Sequence, residues 1–484
     1  MKELATKLNN ITERYLDIIG IIFIVVNFII WDLNTITLRD TQFSLYYLAL
    51  YFVLVGIIIN IKKLNILEYL SEIILFTLLF FVLVYNSYQI NMSFHGTYVD
   101  MGLRSRELIK LVFPSLFLIL LLYRYINPKA FIIGLLLTTG IILFYNIVAI
   151  YGKLAKMETL FQLPLLLNNR SQSLLDNPNA LGEYAYLGCV FLFILAIISK
   201  RLSIKIITLA LIPIMLGGLV LSGSRTALLM VISFYVLLLL YYPYYNRQFK
   251  NLLIISFLLI LGFVLVDYTF HLNFIKEQLR LSDALSGRDK IWKVMMTVIN
   301  ENWLYGVGYN NSTFVFNESG EFSTLTSPHN LYLAVLMEMG IIPFILMVTF
   351  FIGLILSNQK LIILNKGNHK TMYLIIFNIF YVSTLIGQFF EHGLFKLSTL
   401  NTVMFMCIAF NLQIKARFDK LPKLPVFSYL YLLISIVMSL ILYFMKLDLL
   451  IIMTINVFPA LIFIVIRFLL RYLRYNEVPY EKGN

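Results

Sequence analysis

Three residues of this chain have the types and positions needed to act on a phosphorylated, hydroxyl-bearing substrate. Arg225 stands in Ser222-Gly223-Ser224-Arg225-Thr226 at the head of an apolar run. Arg288 stands in Gly287-Arg288-Asp289-Lys290, and His329 in Ser327-Pro328-His329-Asn330, just before another apolar run. A guanidinium is planar, permanently charged and shaped for bidentate contact with phosphate oxygens. At a helix head it is joined by free backbone N–H groups and the positive end of the helix dipole. Ser224 and Thr226 can cap such a helix or bond phosphate oxygens. Lys290 adds positive charge beside Arg288, and Asp289 reduces it. An imidazole, with a free pKa of about 6.5, can accept or position the proton of a hydroxyl. Asn330 supplies a polar neighbour to it. Each residue also has a plainer reading: a snorkelling arginine at a membrane edge, a solvated loop charge, a helix cap.

The surroundings of these residues weigh against the plainer readings. The 484 residues are 60% hydrophobic and only 13% charged, with a mean hydropathy of +0.86. Soluble domains carry roughly 25% charged residues. Spanning a bilayer takes about 20 apolar residues, and such runs recur along the whole chain. They are continuously apolar and do not alternate, which excludes a β-barrel. The expected fold is therefore all-α: a single integral membrane domain over residues 1–484 with about 12–14 transmembrane helices. Spans are expected near 15–32, 43–61, 66–86, 107–126, 130–151, 180–199, 203–221, 225–242, 252–270, 330–356, 371–391, 397–414, 427–445 and 449–470. Gly217, Gly218 and Gly223 mark a place where a helix can break. The first apolar run is too long for a cleavable signal and reads as a retained helix. Ionisable groups at the mouths of such helices are costly, and function is their default explanation.

Charge sets the expected orientation. With the N-terminus in the cytoplasm, about 23 of the 38 Lys and Arg fall on the inner side, and many of the rest lie in the longest loops, where the positive-inside rule has least force. Both termini are then cytoplasmic, and Arg225, Arg288 and His329 share the outer face of the cytoplasmic membrane. The net charge of +13 is a matter of topology and does not indicate nucleic acid. The longest polar interruption, 271–328, reads as an extracytoplasmic loop. Within it, Ile291, Trp292, Met295, Met296, Val298 and Ile299 recur at helical spacing, as in an amphipathic helix at an interface. Gly306-Val307-Gly308-Tyr309-Asn310 then reads as a flexible turn.

Weaker polar features accompany these. Asp176-Asn177-Pro178-Asn179, with Gly182 and Glu183, enters the sixth span as a capped helix start. Glu391-His392, with Lys396, ends the eleventh span, either as a second polar cluster on the outer face or as a mere helix end. Glu338 lies two and a half turns beyond His329, facing away from it or sitting deeper. Tyr305, Tyr309, Phe314 and Phe316 are positioned to stack on sugar rings or to pack the loop. Cys189 and Cys407 fall inside spans and read as small apolar fillers. No phosphate loop, dinucleotide fingerprint, zinc spacing or Asp-x-Asp dyad is present. The chemistry these residues suit is outer-face, independent of metals and cofactors, and directed at an anion carried by lipid.

The motifs resemble the O-antigen polymerase and O-antigen ligase superfamily of bacterial cell-surface glycan assembly. The resemblance rests on Gly223-Ser224-Arg225-Thr226-Ala227, Gly287-Arg288 with Ile291-Trp292, Asn302-Trp303-Leu304-Tyr305-Gly306-Val307-Gly308, and His329-Asn330 followed by Tyr332-Leu333 and Glu338-Met339-Gly340-Ile341. Asn177-Pro178-Asn179-Ala180-Leu181-Gly182 adds a weaker echo, and Trp303 stands where the family usually has a proline. The resemblance implies a fold related to the class C glycosyltransferases. It implies a glycan donor on polyprenyl diphosphate, transferred with inversion. Arg225 and Arg288 would hold the diphosphate and His329 would serve the acceptor hydroxyl. Ser224, Thr226, Asn330, Lys290, Tyr305 and Tyr309 are the expected substrate contacts. The expected partners are the donor, an acceptor glycan, the bilayer, a flippase and a chain-length regulator. A polymerase of lipid-linked repeats into capsule, O-antigen or exopolysaccharide is the leading expectation. A ligase acting on another acceptor is the alternative within the superfamily, and a lipid-linked oligosaccharide flippase the alternative outside it.

The orientation is testable by thiol labelling in intact cells. In a background with Cys189 and Cys407 replaced by serine, Ser319→Cys is expected to react with a membrane-impermeant maleimide, and Lys366→Cys only after lysis.

Overall fold

In hydrocarbon a chain must satisfy its own backbone hydrogen bonds, so continuous apolar runs become helices. The computed structural model describes residues between 128 and 415, excepting 161–162, 168–169, 176, 200, 242–246, 270–287, 305, 309–311, 313–315, 317–327, 366–367, 369, 392–399 and, beyond 400, all but 403, 404, 407, 408, 411, 414 and 415. The first four and last two expected spans lie outside the described residues, as does most of the loop 271–328. Among the described residues the helices are α1 (Pro128–Leu154), α2 (Pro178–Ile198), α3 (Leu202–Ala210), α4 (Ile212–Ser222), α5 (Arg225–Leu240), α6 (Arg247–Thr269), α7 (Arg288–Asn302), α8 (Leu331–Met339), α9 (Ile341–Leu364) and α10 (Thr371–Gly387). Ile133–Leu154, Pro178–Ile198, Leu202–Ser222 and Ile341–Leu364 are long and apolar enough to cross a bilayer. The architecture is that of an all-α polytopic membrane protein.

α2 is the central helix. It packs against α1, α3, α4 and α5, and α10 packs against α5 and α9. Several polar groups buried in this bundle are paired with one another, as the low dielectric favours. The Tyr186 hydroxyl of α2 meets Ser383 Oγ at 2.7 Å and Thr384 Oγ1 at 3.0 Å on α10. Deeper along α9 and α10, Asn358 Nδ2 donates to Asn378 Oδ1 (2.8 Å), Asn411 Nδ2 donates to Asn358 Oδ1 (3.1 Å), and the buried Lys415 ammonium donates to Ser357. Cys189 and Cys407 are both buried and free.

Four local features shape the site, and one of them, the break near Gly223, is expected from the sequence. The span expected over 330–356 is two helices, α8 and α9, separated at Gly340 (φ 86°). The run 203–221 is interrupted at Leu211, between α3 and α4. Of the three glycines before Arg225, Gly223 (φ 59°) makes the expected break, between α4 and α5, while Gly217 and Gly218 stay helical. The connection between α1 and α2 holds two small antiparallel hairpins: β1 (Thr159–Leu160) with β2 (Leu163–Pro164), and β3 (Leu166–Leu167) with β4 (Arg170–Ser171).

The break at Gly340 exposes main-chain groups that need partners, because the last carbonyls of a helix have none within it. Trp303, Val307 and Gly308 supply them. Val307 N donates to Met337 O and Gly308 N to Glu338 O, both at 2.8 Å, while Ile341 N donates to Trp303 O at 2.9 Å. Gly306-Val307-Gly308, the described part of the segment expected as a flexible turn, is thus a buried clasp over the end of α8. Gly306 is in a left-handed conformation (φ 71°), and a Cβ there would sit 2.5 Å from the Glu338 carbonyl carbon and the Met339 nitrogen. Glu338 is buried beneath the same clasp.

α7 has the expected amphipathic face, with a different destination. Ile291, Met295 and Ile299 are buried at i, i+4 and i+8, and the helix packs on α8. Its apolar stripe therefore meets protein, while Asp289, Lys290 and Lys293 stay exposed. Phe316 is fully buried and packs the interior.

Gly306→Ala should destabilise the detergent-solubilised protein by about 1–3 kcal/mol from backbone conformation alone, with the main-chain clash added. Gly140→Ala, where a Cβ meets nothing within 4 Å, should be neutral or stabilising by up to about 1 kcal/mol. Thermal unfolding of the two variants checks both.

Candidate functional site

Arg225 is the first residue of α5. Gly223 turns the chain out of α4, and Ser224 caps α5, its Oγ accepting from Ala227 N at 3.4 Å. Ser222 Oγ bonds back to Leu219 O at 2.6 Å and accepts from Ser224 N at 3.2 Å. This tight turn seats against α2 at Gly182, where a Cβ would come within 2.5 Å of Ser224 Cβ. Any side chain at 182 would push the turn away from α2. The turn is also held from outside the bundle: Arg170, on β4, donates from Nε to Ser222 O at 2.7 Å.

His329 precedes α8 in a left-handed conformation (φ 46°), which is uncommon for a residue with a Cβ although histidine adopts it more readily than most. Asn330 caps the helix, its Oδ1 accepting from Leu333 N at 3.0 Å. Leu331 N donates to both Gln388 O and Glu391 O, each at 2.9 Å. The start of α8 is therefore tied by main chain to the segment just after α10. Aromatic contacts complete the convergence. Tyr332 packs on Phe389 at 4.4 Å between ring centroids, and Trp292, one turn after Arg288, packs near Phe390 at 6.1 Å. The Tyr332 hydroxyl also donates to Leu385 O at 2.8 Å.

These contacts deliver three side chains to one carboxylate. Glu391 Oε1 accepts from Asn179 Nδ2 at 3.1 Å and from Arg288 Nη2 at 3.4 Å. Glu391 Oε2 meets His329 Nδ1 at 3.3 Å. Asn179 Oδ1 in turn accepts from Arg170 Nη2 at 2.5 Å. The Glu391 side chain is 11% exposed, that of Arg288 18% and that of His329 26%, so the cluster lies at a mouth that is neither dry nor fully open. Burial draws the Arg288 guanidinium below its usual range; Glu391 opposes this, and like-charge repulsion from Arg225 adds to it. That repulsion places Arg225 in electrostatic reach of Arg288. The group remains cationic, since arginine does not deprotonate in proteins. Among the described residues no group of three His, Cys, Asp or Glu side chains is arranged to hold a metal ion.

The residues singled out in the sequence thus divide. Arg288 and His329 meet on Glu391, and Arg225 lies close enough to perturb Arg288. Ser224 and Asn330 are buried helix caps, and Thr226 is buried in the first turn of α5. Lys290 is exposed on α7. Tyr305 and Tyr309 lie outside the described residues, as do Asp176, Phe314, His392 and Lys396.

Residues 209–348 match the O-antigen ligase family. The matched segment runs from the end of α3 into α9 and includes Arg225, Arg288 and His329. It bears out the resemblance to the O-antigen polymerase and ligase superfamily, and with it an activity of the general O-antigen ligase or polymerase type. No curated protein matches the chain significantly.

The O-antigen ligase segment does not contain the whole cluster. Arg170, Asn179 and Glu391 lie outside it. From the sequence alone Glu391 reads as a helix end or a separate polar cluster, and Asn179 as part of a helix start. The available signal was a carboxylate ending an apolar run on the same side as two arginines, in need of a cation. The structure makes it the centre of the first cluster.

Glu391→Leu leaves Arg288 and His329 without their shared carboxylate and should cost about 1–3 kcal/mol of stability. Lys290→Gln, exposed on α7, should leave the unfolding midpoint unchanged. Both are read by thermal unfolding at equal detergent.

Proposed function

We propose that the chain is a membrane-embedded glycosyltransferase that joins polyprenyl-diphosphate-linked oligosaccharides into a cell-surface polysaccharide on the outer face of the cytoplasmic membrane. The observation that carries this reading is the convergence of Arg288 and His329 on Glu391; Arg225, at the head of α5, is a second guanidinium whose charge acts on Arg288. Two like charges that repel each other at a membrane edge are unfavourable alone and become favourable when an anion with several oxygens lies between them. A diphosphate has that charge and span.

In this reaction the acceptor hydroxyl oxygen bonds to the anomeric carbon from the face opposite the diphosphate. The bond from that carbon to the diphosphate oxygen breaks, and its electron pair leaves with the diphosphate. Negative charge grows on the leaving group, and preorganised guanidinium groups in a site of low dielectric stabilise it. The acceptor's proton passes to His329. With Nδ1 donating to Glu391, the Nε2 lone pair is the acceptor, and the carboxylate fixes that tautomer and stabilises the imidazolium that forms, as in other carboxylate–imidazole pairs. Glu391 repels phosphate, so it marks the acceptor side of the site, and Arg225 marks the donor side. In this division Arg288 bridges the two.

A ligase moving finished glycan to another acceptor shares this mechanism and differs only in what binds beside His329. A flippase would need charge distributed along its spans, whereas this cluster sits at the helix mouths.

The test uses a strain lacking the protein, complemented with wild type, Arg225→Ala, Arg288→Ala or His329→Ala at equal membrane levels. Single repeats should accumulate on lipid, with no polymer ladder, in the deletion strain and in all three variants. Each arginine is expected to supply about 2.7–4 kcal/mol of transition-state stabilisation, roughly 100–1000-fold in rate. Long polymer retained on lipid would indicate the ligase. A normal glycan profile in the deletion strain would overturn the proposal.

A further inference from the structure

The chain of contacts from Arg170 through Asn179 to Glu391 has a fixed polarity. A guanidinium only donates hydrogen bonds and a carboxylate only accepts them. An amide between them must turn its oxygen to Arg170 and its nitrogen to Glu391, and Asn179 does so, at 2.5 Å and 3.1 Å. Asn179 cannot drift easily, because it follows Pro178 in the first turn of α2 and its own N–H is bonded to Asn177 Oδ1 at 2.8 Å. Arg170 is fixed in turn by Ser222 O. The carboxylate is therefore oriented from the far side of the cluster by a group that touches neither Arg288 nor His329 in any contact given above. Asn179 and Arg170 both fall outside the segment matched to the O-antigen ligase family.

We propose that Asn179, oriented by Arg170, is a positioning residue for the Glu391–His329 pair. It rests on the reading of that pair as the group serving the acceptor hydroxyl. Without the Asn179 bond, Glu391 Oε1 would turn wholly to Arg288. Glu391 Oε2 would then move relative to His329 Nδ1, so the imidazole would no longer be held towards the acceptor. Displacements of this size in a supporting contact cost turnover without removing any reacting group. Binding of the diphosphate through Arg225 would persist.

Asn179→Asp is the decisive variant, because it keeps the shape and the bond to Arg170 but presents an acceptor to Glu391. The full-length chain is assayed for surface glycan in the deletion strain, at matched membrane levels, and in lipid vesicles for binding of geranylgeranyl diphosphate. Asn179→Asp and Asn179→Ala are expected to lower glycan output by about tenfold or more while diphosphate binding stays within about twofold. Arg170→Met should lower output in the wild-type background by a clearly larger factor than in the Asn179→Ala background, since residues in one network are not additive. Glycan output near wild type in Asn179→Asp would overturn the proposal, and so would an equal effect of Arg170→Met in both backgrounds. Parallel loss of diphosphate binding and output would assign Asn179 to the scaffold, which also overturns it. A deletion strain with normal glycan would instead contradict the proposed function, and that arm is read before any Asn179 variant.

Discussion

A carboxylate shared among an arginine, a histidine and an asparagine at the mouth of an apolar bundle is the constraint on which this site depends. Glu391 draws together residues 103 and 62 positions away from it, at Arg288 and His329, and one 212 positions away, at Asn179. Desolvating a charge is expensive unless partners replace the lost water. Each partner here is delivered by a different helix, so the helices cannot shift independently without uncovering a charge. The aromatic contacts Tyr332–Phe389 and Trp292–Phe390 add apolar burial around the ion pairs. They hold α7 and α8 in place against the segment after α10.

Helix breaks make the polar mouth possible. An uninterrupted bundle would carry its polar groups only at its outer ends. Gly223 and Gly340 end α4 and α8, and the freed backbone groups are met by local partners: the Ser222 and Ser224 hydroxyls at one break and the 303–308 clasp at the other. Irregular backbone in such proteins persists only where protein satisfies it. The clasp also explains a motif that stood in the sequence without an evident purpose. Gly306 lies against the α8 backbone too closely for any Cβ, while Val307 and Gly308 spend their N–H groups on α8 carbonyls.

Much of this was legible in the residues, and the remainder has physical reasons for being hidden. Apolar runs located α1, α2, α5, α6 and α10 because length and hydropathy are local properties. The apolar run beginning after Pro328 and His329 marked the start of α8, and the spacing of Ile291, Met295 and Ile299 marked α7. The break at Gly340 was not visible, since one glycine inside an apolar run barely changes hydropathy. The destination of the α7 stripe was not visible either, because protein and membrane surface ask for the same pattern. Glu391 was hidden by distance along the chain: nothing near it in sequence says that Arg288 and His329 fold onto it. Arg170 was hidden because its hairpin is built from strands of two residues, too short to leave a periodic trace.

The most direct test is an experimental structure of the full chain in lipid with a polyprenyl diphosphate bound. The account predicts diphosphate density between the Arg225 and Arg288 guanidinium groups, with the Glu391–His329 pair on the side away from the lipid tail. A diphosphate bound elsewhere, or Arg225 turned away from it into solvent, would contradict the account.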